Sequence, residues 1–365
     1  MNSENKKGLS FPVFKTKIPG DTLKFSLEDP VERRKYFAHK AGSEIEKLRE
    51  YLRGGTFVGF LLGKKNSGKG TYSKLFMEAV GKERVAHISV GDIVRSVHAD
   101  LSDETKKKDL VAFLGERYRG FIPIDQIFDI IGGRDTKTLL PTEVILALVE
   151  REVTRLGRKA VFIDGFPREM SQISAALYFR SIMGYRDDPD FFAFIDVPNT
   201  VMDARMKTRV ICPKCQTPRT SKLLRTKEIG YDEQTKEFFL ICDNPTCPGF
   251  GTSRMISKEG DELGIEAIRD RIETDDTIMR HLLELQGVSK ILLRNCVPVH
   301  EAADVIDDYE ITPSYRYEWN EREKKVRVIE EPWIVNDDNG VPSYSLLPAA
   351  VVVSFVKQMS TVLGL

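Results

Sequence analysis

At 365 residues the chain is long enough for one large α/β domain with insertions, or for two ordinary domains. Lys plus Arg and Asp plus Glu each number 55, so the formal net charge is zero; no chain-wide field points to nucleic acid or an acidic membrane, and any anion site has to be local. Four of the five cysteines crowd into residues 212–247 as two close pairs, which is not how a disulfide-stapled secreted domain spreads its cysteines.

Residues 1–54 open on the polar stretch MNSENKKGLSFPVF, which lacks the continuous apolar run of a secretory signal. They turn helical in DPVERRKYFAHKAGSEIEKLREYL, where Leu48 and Leu52 mark one face and a Gly-Gly pair ends the pattern. This segment reads as an extension with a packing helix. TFVGFLL (56–62) is then a β-branched, apolar run that opens into LLGKKNSGKGT and a helical pattern from Lys69. The spacing of Gly63, Gly68 and Lys69 is that of a phosphate loop, but Gly70 stands where a Mg²⁺-ligating hydroxyl is usual, and Thr71 comes one residue late. Strand, loop and helix in this order present backbone N–H groups and a helix N-terminus to an anion, and Lys69 adds a mobile positive charge. With no hydroxyl at position 70, Mg²⁺ has to be held by phosphates and waters, with carboxylates behind the waters.

The alternation continues with RVAHIS (84–89), KAVFID (159–164) and FFAFIDV (191–197), short apolar runs that fit the buried strands of a parallel sheet. Their C-terminal ends are where open α/β sheets bind ligands. Two carboxylates sit there, Asp92 of HISVGDIVR and Asp164 of VFIDGFPRE; each fits either the outer shell of Mg²⁺ or a helix N-cap, and spacing does not choose. Residues 91–141 form a long, mostly helical arm between strands, and the core runs from 55 to 209.

Residues 210–257 form an insert with a hairpin-like YDEQTKEFFLIC and the cysteines of CPKC and CDNPTC: Cys212, Cys215, Cys242 and Cys247. Two close thiolate pairs make a tetrahedral zinc site, with disulfides or a bare reduced cluster as the alternatives. Four protein ligands leave no open position, so such a zinc is structural. Residues 258–290 read as a core helix returning from the insert. A tail, 291–365, holds a strand-like VRVIEEPWIV, a turn at NDDNG and a final helix; its apolar LLPAAVVVSFV is too short to span a bilayer, so a cytoplasmic protein is expected. No function is legible in this tail. Cys296 reads as core filler, His87 and His281 as packing residues, and Trp319 and Trp333 as the tail's own core.

GKKNSGKGT, HISVGDIVR, VFIDGFPREMSQ, the pair Arg205 and Arg209 before the insert, and Arg269 with Arg280 after it resemble, in that order, the adenylate kinases and other nucleoside monophosphate kinases, over roughly residues 56–290. The insert resembles the zinc-bearing lid of some adenylate kinases. The resemblance implies a P-loop NTPase-type, doubly wound parallel sheet with an inserted monophosphate-binding arm and a zinc lid, transferring the ATP γ-phosphoryl reversibly to AMP with Mg²⁺. It implies that Gly63, Ser67, Gly68, Lys69, Gly70 and Thr71 hold the ATP phosphates and that Arg205 covers the ATP base. Val90, Gly91, Arg95, Gly165, Arg168 and Gln172 would hold AMP, with Gln172 on its base. Lys69, Arg168, Arg209, Arg269 and Arg280 would gather at the transferring phosphoryl. Arg205 and Arg209 are four apart and Arg269 and Arg280 eleven apart, so on a helix each pair would share one face.

Lys65 and Asn66 stand where the family commonly has Pro-Gly, Val90 where a threonine is frequent, and Arg271 and Ile272 where Asp-Asp is usual. Two other readings stay open: a kinase of the same fold for CMP or UMP, and a catalytically inactive nucleotide-binding module whose Cys₄ insert, with the basic run RTSKLLRTK (219–227), is a zinc ribbon. The partners expected are ATP and AMP, with no nucleic acid or membrane, and a monomer is the favoured state.

Overall fold

The computed structural model describes residue 9 and residues 11–133, 140–185 and 187–365. Residues 1–8 and 10 of the N-terminal extension and 134–139 of the arm lie outside the described residues. Helix α1 (Pro30–Tyr51) begins where a capped start is encoded: Asp29 accepts hydrogen bonds from the Val31 and Glu32 N–H groups, and Pro30 fills the first turn. Then come β1 (Val58–Gly63), α2 (Lys69–Val80), β2 (Val85–Ser89) and the arm helices α3 (Val90–Asp100), α4 (Glu104–Arg117), α5 (Ile124–Gly132) and α6 (Thr142–Leu156). Strand β3 (Ala160–Asp164), short helices α7 (Ile173–Leu177) and α8 (Phe179–Ile182), β4 (Asp190–Asp196) and α9 (Asn199–Lys207) complete the segment before the insert.

The insert is built from β5 (Arg209–Ile211), β6 (Pro218–Thr220), β7 (Ile229–Asp232), β8 (Glu237–Leu240) and β9 (Ile256–Ser257). Beyond it lie α10 (Arg269–Glu284), β10 (Lys290–Arg294), β11 (Cys296–Pro298), α11 (Val299–Val305), β12 (Pro313–Asn320), β13 (Lys325–Pro332), β14 (Ile334–Asn336), β15 (Pro342–Ser345) and α12 (Pro348–Val362).

The central sheet is parallel, with strand order β10-β4-β1-β3-β2, which makes the α/β fold class plain. The four apolar runs read from the sequence are β1 to β4. The fifth strand, β10, falls within or beside the segment read as tail, so the sheet continues past residue 290. Successive side chains alternate between the faces and both faces are buried: Leu61, Phe162, Phe191 and Ile195 pack with α1, α2 and α12, whereas Phe60, Ile163, Phe192 and Phe194 pack with the arm helices and α10. Helix α12, the apolar run at 346–356, is inside this first layer with Val351, Val352, Val353 and Phe355 buried. No helix among the described residues is long and apolar enough to cross a membrane.

The tail reaches two other parts of the molecule. Its hairpin, β12 paired antiparallel to β13, lies on the insert's hairpin of β7 and β8: Trp319 stacks on Tyr231 with ring centroids 4.6 Å apart, and Tyr317 packs against Phe238 at 5.7 Å. Tyr315 N–H donates to Lys222 O over 2.7 Å. The turn between β14 and β15 sends Asp338 to the phosphate loop, where it pairs with Lys64 at 2.7 Å and accepts from Asn199 N–H at 2.7 Å.

Candidate active site

Parallel register sets the site. Leu61 of β1 pairs with Asp164 of β3, and Ser89 of β2 pairs with the same Asp164, so three neighbouring strands deliver their C-terminal loops to one edge. The loop after β1 turns back through Gly68, whose φ of +92° favours glycine, into α2. Gly63 is required by a close approach: a Cβ there would sit 2.7 Å from Ser67 Oγ. Helix α2 has no side-chain cap and no acidic residue in its first turn; the Thr71 and Tyr72 N–H groups donate to Gly68 O, so the N–H groups ahead of them are the ones left for an anion. A Cβ at Gly70 would meet open space. Packing therefore gives no reason for glycine at that position.

A cavity of about 620 Å³ opens above these loops. Of the residues expected at the site, Gly63, Lys69, Gly91, Arg95, Asp164, Gly165 and Arg168 line it. So do Lys65, Asn66, His98, Arg271, Asp275, Ile278 and Met279, which the motif reading did not assign. Five basic side chains, Lys65, Lys69, Arg95, Arg168 and Arg271, face two carboxylates, Asp164 and Asp275. Burial, together with the neighbouring Arg168, Arg271 and Lys258, pushes the Lys65 ammonium below its usual range. Positive charge is therefore crowded and partly desolvated here, which suits a polyanion.

Lys69 Nζ donates to the loop's own carbonyls, Gly63 O at 2.8 Å and Lys64 O at 3.2 Å, and lies 3.8 Å from Asp164 Oδ1. Gln172 is fully buried; its Oε1 accepts from the Arg168 N–H at 2.8 Å, while Nε2 is buried without a hydrogen-bond partner. Ser67 Oγ is likewise buried and unpartnered. Val90 is in the core, and Asp92 is exposed and ion-paired to Arg95 on the same helix.

The remaining arginines stand outside the cavity. Arg205 on α9 faces the buried Tyr72 hydroxyl. Arg209 is held by both oxygens of Asp261, with Nη2 to Oδ1 at 2.6 Å. Arg269 pairs with Glu266, its Nε 3.1 Å from Oε2, and Arg280 pairs with Asp276 at 2.7 Å. Ser67, Gly68, Gly70 and Thr71 shape the loop beneath the cavity without lining it.

In the insert, β5 pairs with β6 and β9, and the thiols of Cys212, Cys215, Cys242 and Cys247 converge with all four sulfurs within 4.8 Å of one another. Cys212 to Cys247 is 3.7 Å and Cys215 to Cys242 is 3.8 Å, far too long for a disulfide. Zinc–sulfur bonds of about 2.3 Å in a tetrahedron put sulfurs roughly 3.8 Å apart, so the donor set fits zinc. Gly249 N–H points at Cys247 Sγ over 3.3 Å, the kind of outer hydrogen bond that steadies a thiolate ligand. Of the two carboxylates read for Mg²⁺, Asp164 lies beside the phosphate loop and lines the cavity, while Asp92 does not line it.

No protein-family model matches the chain. Among curated proteins it is similar to an adenylate kinase of Hydrogenobaculum sp., 26% identical over 217 residues, covering 60% of this chain and 82% of that one. An adenylate kinase of Clostridium tetani is 27% identical over 237 residues, covering 64% and 88% respectively. One of Clostridium acetobutylicum is 31% identical over 156 residues, covering 42% of this chain and 60% of its own length. The likeness read from the motifs thus extends through much of the chain, which over 60 to 64% of its residues is similar to proteins named adenylate kinase.

Proposed function

We propose that this chain is a nucleoside monophosphate kinase that moves the terminal phosphoryl of Mg-ATP to AMP, giving two ADP. The observation that carries the reading is the cavity where Lys65, Lys69, Arg95, Arg168 and Arg271 surround a glycine loop and an uncapped helix N-terminus. One phosphorus–oxygen bond to the ADP leaving group breaks as one to an AMP phosphate oxygen forms. That oxygen is already anionic, so no general base is needed, and positioning with charge neutralisation suffices.

In this reading Lys69 leaves the loop carbonyls to meet the β- and γ-phosphates, and the N–H groups opening α2 take the rest. Arg95 and Arg168, which both line the cavity, hold the AMP phosphate. Gln172 is fully buried and does not line the cavity, so it has to be uncovered before its unpartnered Nε2–H can meet the adenine N1 acceptor. Asp164 is the residue that would hold Mg²⁺ through its waters, and the ion would supply charge neutralisation to the phosphates. Arg209, in the first strand of the insert, joins only if the insert moves over the cavity as a lid, with zinc holding its fold, and Arg205 on α9 joins only by leaving the Tyr72 hydroxyl. ATP, AMP and Mg²⁺ are then the ligands, and zinc, with four cysteine ligands and no open position, would be structural.

Steady-state kcat/KM for AMP, CMP, UMP and GMP with Mg-ATP tests the reading. AMP is expected to exceed CMP and UMP by about tenfold and GMP by more, since guanine offers the reversed donor–acceptor edge to Gln172. Lys69→Met is expected to lower turnover by about 10²–10³-fold in a folded protein. No ADP formation from ATP and AMP would sink the proposal, and a tenfold preference for CMP or UMP would move it to a pyrimidine substrate.

A further inference from the structure

The returning helix α10 turns a different face to the site than the spacing of its arginines suggests. At about 100° per residue, Arg271, Asp275, Ile278, Met279 and Leu282 fall on one side, and Arg269, Asp276 and Arg280 on the other. Ile272, Asp275, Ile278, Met279 and Leu282 are the buried residues of this helix. Arg271, Asp275, Ile278 and Met279 line the cavity, whereas the Arg269 side chain is 59% exposed.

Arg271 is also held there. Its Nη2 lies 2.7 Å from Asp275 Oδ1, one helical turn on, and the other oxygen, Oδ2, accepts the Lys65 backbone N–H of the phosphate loop at 3.0 Å. One carboxylate therefore fixes the guanidinium relative to the loop. Arg271 Nε–H is buried and has no hydrogen-bond acceptor, a state that is costly until an acceptor arrives. A guanidinium has five N–H donors in a planar fork, so the Asp275 contact leaves donors for an anion.

We propose that Arg271 is the phosphate-binding arginine that α10 contributes to this site, in place of Arg269, with Asp275 as the residue that positions it against the phosphate loop. This rests on the phosphoryl-transfer reading for its kinetic consequence, but the binding consequence stands apart from it. Arg271 neutralises oxygens of the phosphate chain at the Lys65 end of the cavity. Asp275 holds the fork in orientation and keeps it attached to the loop that carries the same phosphates. Burial pushes the Asp275 carboxyl up, while Arg271 and Lys69 oppose this and favour its ionised form.

The test compares Arg271→Ala, Arg271→Lys and Arg269→Ala in the full chain, by steady-state kinetics and by calorimetric titration with inorganic tripolyphosphate. Arg271→Ala is expected to lower kcat/KM about 100-fold and to weaken tripolyphosphate binding at least tenfold. Arg271→Lys, which keeps the charge but not the fork, should recover part of both and serves if the alanine variant does not fold. The loss at Arg271 should exceed that at Arg269 by at least tenfold. Asp275→Asn should lower kcat more than it raises the ATP KM, and should add little in the Arg271→Ala background, as expected of a residue acting through another. Equal losses at the two arginines, a loss only at Arg269, or fully additive effects of Asp275→Asn and Arg271→Ala would overturn the assignment. A wild-type protein without turnover whose tripolyphosphate affinity still falls with Arg271→Ala would refute the kinase reading and leave this one standing.

Discussion

Asp196, at the C-terminal end of β4, offers a quantitative check on the electrostatics behind the phosphate loop. Its carboxyl is buried near Lys64, Asp338, Arg294 and Asp337, and burial above all pushes its pKa from 3.8 to about 7, with Lys64 and Arg294 pulling the other way. The unfolded chain therefore gives up this proton near pH 4, while the folded chain keeps it until about pH 7. Between those limits the folded state binds more protons, so its stability falls as pH rises, and the contribution is spent above pH 7. Asp196→Asn removes the titration while keeping the shape, and Lys64 and Arg294 keep Asp338 and Asp337 as partners. Relative to wild type, the variant should gain on the order of 2–3 kcal/mol between pH 5 and pH 8. Urea unfolding of both proteins at pH 5, 6, 7 and 8, with zinc at saturation so that loss of metal affects both alike, measures this difference. A difference constant across that range to within about 0.5 kcal/mol, close to the extrapolation error, would mean that Asp196 is ionised throughout and that its burial is not costly.

Two further outcomes are expected. The protein purified without chelator should carry about one zinc per chain; Cys242→Ser should release it and lower the melting temperature, and metal-free wild type with four titratable insert thiols would rule the zinc site out. Trp319→Ala, which removes the ring stacked on Tyr231, should raise hydrogen exchange in β7 and β8 without changing that of β1 or β3; unchanged exchange in the insert would show that the tail hairpin does not restrain it.

The central sheet was legible because each of β1 to β4 is a short apolar run buried on both faces, and because the glycine loop needs its preceding strand and following helix. The four cysteines were legible because their two close spacings imply a single centre. Helix α10 shows where spacing alone misleads. Arg269 and Arg280 do share a face, but Ile272, Ile278, Met279 and Leu282 cluster around the side of Arg271 and Asp275, and that apolar centre marks the inward face. Reading the apolar residues before the arginines would have placed Arg271 in the site. The tail's contacts had no such local signal: Trp319 meets Tyr231 and Asp338 meets Lys64 across long separations in sequence, and neither partner's neighbours encode the meeting.

The tail hairpin changes what it takes for the insert to move. An insert tied to the core only at its two ends, near Arg209 and Ser257, can swing about those points with no other bond broken. Here the stack of Trp319 on Tyr231, the packing of Tyr317 on Phe238 and the Tyr315–Lys222 backbone bond add a third attachment. A swing that leaves the hairpin behind must break these together with the Tyr317 hydroxyl bond to Ser221 O and the Lys324–Glu233 pair, at about 0.5–1.5 kcal/mol for each aromatic pair and a similar amount for each neutral hydrogen bond. A swing that keeps them must carry the hairpin along, which shifts the pivot to the chain on either side of β12 and β13. In the first case, on the proposed lid motion, the latch would subtract its strength from the free energy of nucleotide binding, about tenfold in affinity for each 1.4 kcal/mol. In the second, the hairpin sequence becomes part of the moving body, and substitutions around residues 311 to 334 would tune closure from outside the cavity.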